Sequence, residues 1–600
     1  MTLKVQHFPD DMSAFPIPTK DFDRCLLCGL FEESVNVGGT ERKFYTYITE
    51  GLPYDSRCIV VAPPDDEDPA GFLVSSGLKD FADRERVFLH LLIPCGKWNF
   101  DGSDAETLNM VYARVQSRNF YVTMQDNIYA FGFGRGATVA MQAAMKESQW
   151  WSGLGTIGPL ADAAMLNSVP EPGEEDRTIN LTGEMILQSG RGPLPVWMAF
   201  PRKNAPEAAV VEYWKKQNGT SPEKLGGEGL SELYLPDQQY PCVQINEENI
   251  AQVRVSETAQ AERFDLALFE RLWSYVGSAR RHRGPGKRLL RVYKQAGPLG
   301  AEYHELVHKG FTRLWYEYVP RSLDGHDGPV PLVVCMHGRG GNAETFLDIS
   351  GMTAVAEERG FIVAFPQASM YQQMPPHGLR NVLLWSANRC KPDMDNVGFI
   401  RAMVADISAR RCIDAGRIYC CGQSSGGRMS VELALYASDL FTAAAPWSSV
   451  EAPDPARELS RPDIPLFIMR GELDSAAKRT NDGRWPFTTD PTYRECLGYF
   501  AKRFALDERP WTWNSGRYDF FEFRSDSGVP MLTYVNVRNM PHANIPGMSW
   551  LTWDLFFSRF ARRADGTLLY MGASCLGHSE KTFLTRRNLS HGSEQNLRLV

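Results

Sequence analysis

No stretch of about 18 consecutive apolar residues, the length a helix needs to cross a bilayer, occurs in the 600 residues of this chain. No membrane partner is therefore expected. An excess of positive charge is also missing. The chain has 64 Lys and Arg against 72 Asp and Glu, a formal net charge of −8, and nothing in that balance favours nucleic acid. The first residues, MTLKVQHFPDDMSAFPIPTK, lack the basic end and apolar stretch of a secretory leader. Cysteine is scarce, with 12 scattered residues, and reduced thiols in a cytoplasmic protein are the expectation. Cys25 and Cys28 make one CxxC without a second pair at zinc spacing, so no metal is expected there. What remains is ordinary globular composition, 43% hydrophobic and 23% charged. A chain of this length can bury its cores without disulfide or metal staples.

Two halves are legible. From Gly277 to Gly300 the chain reads GSARRHRGPGKRLLRVYKQAGPLG, a basic run with a Gly-Pro-Gly turn that suits a solvated linker. Across it, five segments recur in the same order at separations of 270 to 290 residues. RKFYTYITEGL from Arg42 matches RLWYEYVPRSL from Arg313, and Ile59-Val-Val-Ala matches Val333-Val-Cys-Met. IYAFGFGRG from Ile128 matches IYCCGQSSG from Ile418, and Leu194-Pro-Val-Trp-Met matches Ile464-Pro-Leu-Phe-Ile. The segment from Phe264 to Arg281 matches that from Trp550 to Arg563. The shared order reads as an internal duplication, with a first domain at 1–283, a linker at 284–300 and a second domain at 301–600. In each half, short apolar runs without polar alternation are followed by helical patterns. That predicts α/β structure, a doubly wound and mostly parallel sheet covered on both faces.

Gly422-Gln-Ser424-Ser-Gly426 fits G-x-S-x-G between an apolar run and a helical pattern. Strand, sharp turn and helix are the context of a nucleophile elbow, with Ser424 at its tip. A serine needs a base, and in such elbows the acid and then the histidine follow in sequence. Only His542, His578 and His591 follow Ser424. His542 sits in NMPHANIPG, between an apolar strand and a helical segment, whereas the other two lie in a polar tail. The acid should follow the apolar run Ile464–Met469, where Asp474 is the candidate and Glu472 the fallback. An oxyanion hole needs two N–H donors. Ser425 supplies one, and the loop His337-Gly-Arg-Gly-Gly341 supplies the other from Arg339, with Gly338 as the alternative. His337 precedes the nucleophile and is expected to brace the loop. Gln423, Trp385 and Trp485 are candidate substrate contacts, and Trp511 and Trp513 could wall an acyl pocket or simply pack.

HGRGG, WSANRCKPDMDNVGFI, RIYCCGQSSGGRMSVELAL, FIMRGELD and the His542 loop together resemble the polyhydroxybutyrate depolymerase and feruloyl esterase group of α/β-hydrolases, over roughly 306–563. Asp395-Asn-Val-Gly-Phe399 resembles that group's D-D-V-G-F segment with Asn396 as a departure, and Gln423 stands where the group carries His or Leu. The resemblance implies an α/β-hydrolase-like second domain and, with the internal repeat, two such domains in tandem. It implies ester cleavage through an acyl-enzyme on Ser424, with no cofactor and a small-molecule ester as partner. Small aryl (hydroxycinnamoyl) or short-chain acyl esters are favoured. A polyester depolymerase, a serine peptidase with the same triad, and a binding role for the first half are the alternatives, and a homo-oligomer is possible.

His304-Glu-Leu-Val-His308 fits H-E-x-x-H, but Lys309-Gly310 and a strand-like run follow, so a β-hairpin fits better than a zinc-binding helix. The first half carries Gly134 at the serine position, Asn204 at the acid position and Gln260 near the histidine position. Its oxyanion loop reads Ala62-Pro63-Pro64, and proline has no N–H to donate. No ester hydrolysis is expected there.

Overall fold

The structure is a computed structural model. It describes residues 3–9, 15, 17–22, 24–53, 56–116, 127–173, 191–237, 250–281, 290–292, 294–373, 380–385, 394–451, 453, 457–472, 474, 490–507, 509–538, 540, 542 and 544–574. The chain forms two compact units. One holds Met1–Pro16, Arg24–Tyr293 and Gln373–Asn381; the other holds Ile17–Asp23, Lys294–Gln372 and Val382–Val600. The stretch read as a linker is thus divided between them.

The first unit contains β1 (Val5–His7), β2 (Gly29–Val37), β3 (Thr40–Ile48), β4 (Cys58–Ala62), β5 (Phe88–Leu92), β6 (Ile128–Phe133), β7 (Gly153–Ile157), β8 (Val196–Phe200), β9 (Leu225–Gly227), β10 (Leu230–Tyr234) and β11 (Val253–Glu257). They form one sheet in the order β1-β2-β3-β5-β4-β6-β7-β8-β11-β10-β9. A small pair, β12 (Ala279–Arg281) and β13 (Leu290–Val292), follows. The start of the basic run from Gly277 is thus not solvated. Arg280 and Arg281 are buried, and Arg281 donates to the carbonyls of Trp151, Ser148 (3.0 Å) and Pro193 (2.6 Å). The guanidinium fork satisfies buried backbone carbonyls ahead of β7 and β8 that would otherwise lack a partner.

The second unit contains β14 (Glu302–His308), β15 (Phe311–Tyr318), β16 (Val330–Met336), β17 (Ile362–Pro366), most of β18 (Met370–Gln373), half of β19 (Arg380–Leu383), β20 (Ile413–Gln423), β21 (Ala443–Trp447), β22 (Leu466–Gly471), β23 (Trp511–Ser515), β24 (Tyr518–Arg524) and β25 (Pro530–Val537). Its main sheet runs β14-β15-β17-β16-β20-β21-β22-β25-β24-β23. Leaving β1 aside, the two sheets have the same strand succession. Both have a parallel centre, β5-β4-β6-β7-β8-β11 and β17-β16-β20-β21-β22-β25, flanked by antiparallel hairpins. Individual hydrogen bonds also recur. The Tyr129 hydroxyl donates to Ala279 O and that of Tyr419 to Phe560 O, each at 2.6 Å.

The central strands are apolar because both faces are covered; every residue of β4 and β16 is buried. One face of the second sheet packs Leu332, Val334, Met336, Ile418 and Cys420 against Phe399, Met403, Ile407, Met429 and Leu433. His304 and His308 lie on β14, in a hairpin with β15. Lys309 (φ 48°) and Gly310 (φ 82°) make its two-residue turn, whose left-handed conformation matches strand twist.

Candidate active site

β20 ends at Gln423 and the helix Ser425–Tyr436 begins two residues later. Ser424 makes the corner at φ 57°, ψ −116°. A side chain held there costs about 1–3 kcal/mol of backbone strain. The surroundings enforce it: Ser424 N–H donates to Trp447 O at 2.8 Å, and Arg428 N–H to Ser424 O at 3.1 Å. The flanking glycines are steric necessities. A Cβ at Gly422 would fall 2.6 Å from Met336 O, and one at Gly426 would overlap the same carbonyl. The helix can cross β16 this closely only without side chains at those positions.

Asp474 and His542 arrive from neighbouring strands. β22 and β25 pair in parallel up to Gly471 and Val537, and Glu472 N–H then donates to Val537 O at 2.9 Å. Beyond these strand ends, Asp474 Oδ2 lies 2.7 Å from His542 Nδ1, and His542 Nε2 lies 2.9 Å from Ser424 Oγ. An ionised carboxylate only accepts, so Nδ1 carries the proton and Nε2 is free to accept from the serine hydroxyl. Asp474 is 6% exposed, while the His542 side chain is 43% exposed. The base is therefore open to solvent and the carboxylate behind it is not. Glu472 is buried; the carboxylate on His542 is that of Asp474.

The loop after β16 is held from behind. Ala368 N–H donates to His337 Nε2 at 3.0 Å, which leaves Nδ1–H to donate to Gly338 O at 2.7 Å. Gly340 N–H donates to Leu383 O and Gly341 N–H to Gly338 O, so both point inward. Arg339 is exposed at the turn, and Ser425 is buried at the helix start. A Cβ on Gly338 would fall 2.5 Å from Gln423 Oε1 and 3.4 Å from Ser424 Cβ; loop, glutamine and nucleophile meet there. Trp385 is buried behind the loop, its ring centroid 5.6 Å from that of His337. Trp485 lies outside the described residues. Trp511 and Trp513 sit on the edge strand β23. Trp513 stacks on Phe520 and Trp511 beneath the Arg524 guanidinium, which is sheet-edge packing.

Sequence reasoning missed the support of this loop. Gln367, after β17, accepts Ala343 N–H at 2.9 Å. Next to it, buried Arg313 donates to Gln367 O (3.1 Å) and Asn396 Oδ1 (2.9 Å) and lies 3.9 Å over Phe399. Burial pulls this guanidinium down to about 9, against the opposing pull of Tyr371 and Asp395. Burial also opposes ionisation of Asp395, but hydrogen bonds from Lys309, Gly398 N–H and His308 outweigh it and hold the carboxyl below its usual range. The signal was present in the D-N-V-G-F segment, where an amide replaces the carboxylate that would face a buried arginine.

Among the described residues, Glu302, His304 and Glu317 bring donor atoms within 4.8 Å of one another. Arginines occupy the group: Arg410 and Arg411 each pair with Glu317 at 2.8 Å, and Arg411 with Glu302 at 2.8 Å.

The first unit has a similar corner with a glycine at its tip. Gly134 turns at φ 55° and its N–H donates to Ile157 O at 2.8 Å. Asn204 caps the helix Ala205–Asn218, Gln260 accepts from Arg271 at 3.1 Å, and Pro63 O accepts from the Trp98 indole at 2.8 Å.

Residues 318–464 match the family model described as esterase PHB depolymerase. A feruloyl esterase B of Piromyces equi is 31% identical over 164 residues, 26% of this chain and 28% of that protein. A poly(3-hydroxyalkanoate) depolymerase C of Paucimonas lemoignei is 28% identical over 131 residues, 22% of this chain and 30% of that protein. The chain spans between about a quarter and about half of the length of the curated relatives it matches. An acetyl xylan esterase structure from Aspergillus awamori aligns with a TM-score of 0.32 at 18% identity, covering 43% of this chain and 99% of that one.

Proposed function

We propose that this chain, whose second half carries an α/β-hydrolase of the polyhydroxybutyrate depolymerase and feruloyl esterase-like group, is a serine-dependent carboxylic-ester hydrolase. The observation that carries the reading is the continuous hydrogen-bonded line from Asp474 through His542 to a strained Ser424. Ser424 Oγ attacks the ester carbonyl as His542 Nε2 takes its proton, and Asp474 stabilises the imidazolium formed. The N–H groups of Ser425 and of Arg339 or Gly338 receive the oxyanion. His542 then protonates the leaving alcohol and activates the water that frees the acid.

Small aryl esters of the hydroxycinnamoyl kind, or short-chain acyl esters, are the substrate class. The relative named as a feruloyl esterase supports the first. Cysteine usage supports a reducing, cytoplasmic setting. The first unit serves as a scaffold derived from the same fold, since each of its four corresponding positions lacks the needed group.

The test is hydrolysis of p-nitrophenyl butyrate and methyl ferulate by wild type and Ser424→Ala. Turnover is expected from the wild type and only background from the variant. Wild-type turnover that survives in Ser424→Ala would refute the assignment of the nucleophile.

A further inference from the structure

Arg470 is a fully buried cation on β22, four residues before Asp474. Its Nη1 lies 2.8 Å from Asp490 Oδ2, and Asp490 is itself buried. The other Asp490 oxygen, Oδ1, accepts the N–H groups of Thr492 (3.0 Å) and Tyr493 (3.3 Å), capping the helix Pro491–Arg503. One carboxylate thus joins the end of the acid-bearing strand to the start of the next helix. Asp474 lies between these two anchors in sequence.

The pair is enclosed by aromatic rings. The Arg470 guanidinium stands 4.1 Å over the Tyr493 ring, which meets Tyr534 of β25 edge-on at 6.2 Å. Burial pushes the Tyr493 phenol well above its usual range; Arg470 opposes this, while Tyr534, Asp474 and Asp490 add to it. Tyr534 is pushed up in the same way and feels Arg470, Asp490, Asp474 and Asp519. Asp474 thus acts on the same two rings that enclose the buried pair. Arg470 also pairs in register with Asn536, on the strand that leads to His542.

A buried ion pair is a poor source of stability, because desolvation offsets the attraction. Its place at the end of the strand that leads to a carboxylate held 2.7 Å from an imidazole has a better explanation in geometry. We propose that Arg470 and Asp490 are a positioning pair that keeps the Asp474 carboxylate on His542. Neither touches substrate; both act through Asp474. The proposal rests on the ester-hydrolysis reading above.

The variants are Arg470→Met, Asp490→Asn and the double variant, with Arg470→Lys as the conservative control. Asp490→Asn keeps the helix cap, since asparagine caps as well as aspartate. The double variant removes both charges and leaves no buried ion unpaired, so it tests the idea even if Arg470→Met does not fold. Readouts are thermal melting, kcat and KM on p-nitrophenyl butyrate, and the pH profile of kcat/KM. A misplaced acid is expected to lower kcat on the order of 10²-fold with KM little changed. The acid limb of the profile should move to lower pH, because the carboxylate that favours the protonated imidazole is displaced. The double variant should melt near wild type yet stay slow, and Arg470→Lys should recover part of kcat. A folded double variant with wild-type kcat and pH profile would overturn the proposal while leaving the esterase reading intact. No turnover by the wild type would overturn both.

Discussion

Asn396→Asp should stabilise the second unit, and the size of the effect follows from its neighbours. Arg313 is buried with its charge met by a carbonyl and an amide oxygen. Asn396 Oδ1 accepts from Arg313 at 2.9 Å and from Ser369 Oγ at 2.8 Å, and Asn396 Nδ2 donates to the Tyr371 hydroxyl at 3.2 Å. A carboxylate here would have the same two donors and could take a third if Tyr371 turned its proton. Hydrogen bonds to charged groups contribute about 1.5–3 kcal/mol against about 1 for neutral ones, so a gain of about 1–2 kcal/mol is expected. At roughly 2–4 °C per kcal/mol, the midpoint should rise by several degrees.

The pH dependence has a definite sign. The new carboxyl is held below its unfolded value of about 3.9, so its gain is complete above that pH and is lost as pH falls through the folded value. Arg313 keeps its charge through acid and neutral pH although burial pulls its pKa down. The difference in melting temperature should hold a plateau above about pH 5 and narrow on the acid side. Calorimetry of both proteins across this range is the assay. A variant melting at or below wild type at pH 7, or a gain that grows as pH falls below 4, would refute the reasoning.

Three further outcomes are expected. Asp474→Asn should lower kcat by about 10⁴-fold by stabilising the wrong histidine tautomer, whereas Glu472→Gln should leave kcat near wild type; steady-state kinetics separates the two carboxylates. Gly426→Ala should destabilise by about 1–3 kcal/mol, because the helix must move off Met336 O, and denaturant unfolding reads this directly. His337→Ala strands the Ala368 N–H at a loss of about 1–3 kcal/mol. It should also lower kcat more than KM, as the Gly338 carbonyl loses its anchor.

The parts of the site that local spacing dictates were legible in the sequence. The elbow was visible because Gly422, Ser424 and Gly426 must sit together in the chain to let a helix cross β16. Asp474 and His542 could be placed because each follows an apolar run that could only be an inner strand. The supports were less visible because they depend on contacts far apart in sequence. The charge of Arg313 is met 83 residues away at Asn396, and no periodicity announces that. Arg280 and Arg281 misled for the opposite reason. A basic run reads as solvated unless one knows which backbone carbonyls lie opposite, and those of Ser148 and Pro193 are supplied by distant chain.

The two corners, Ser424 at φ 57° and Gly134 at φ 55°, share a path that a serine tolerates poorly and a glycine adopts freely. The strain at Ser424 therefore belongs to the architecture and persists for as long as a side chain occupies the turn. Selection for a reaction can hold a serine there against that strain. A glycine at such a corner relieves the strain and removes the nucleophile in one substitution, so in this architecture stability and the hydroxyl pull against each other at a single position.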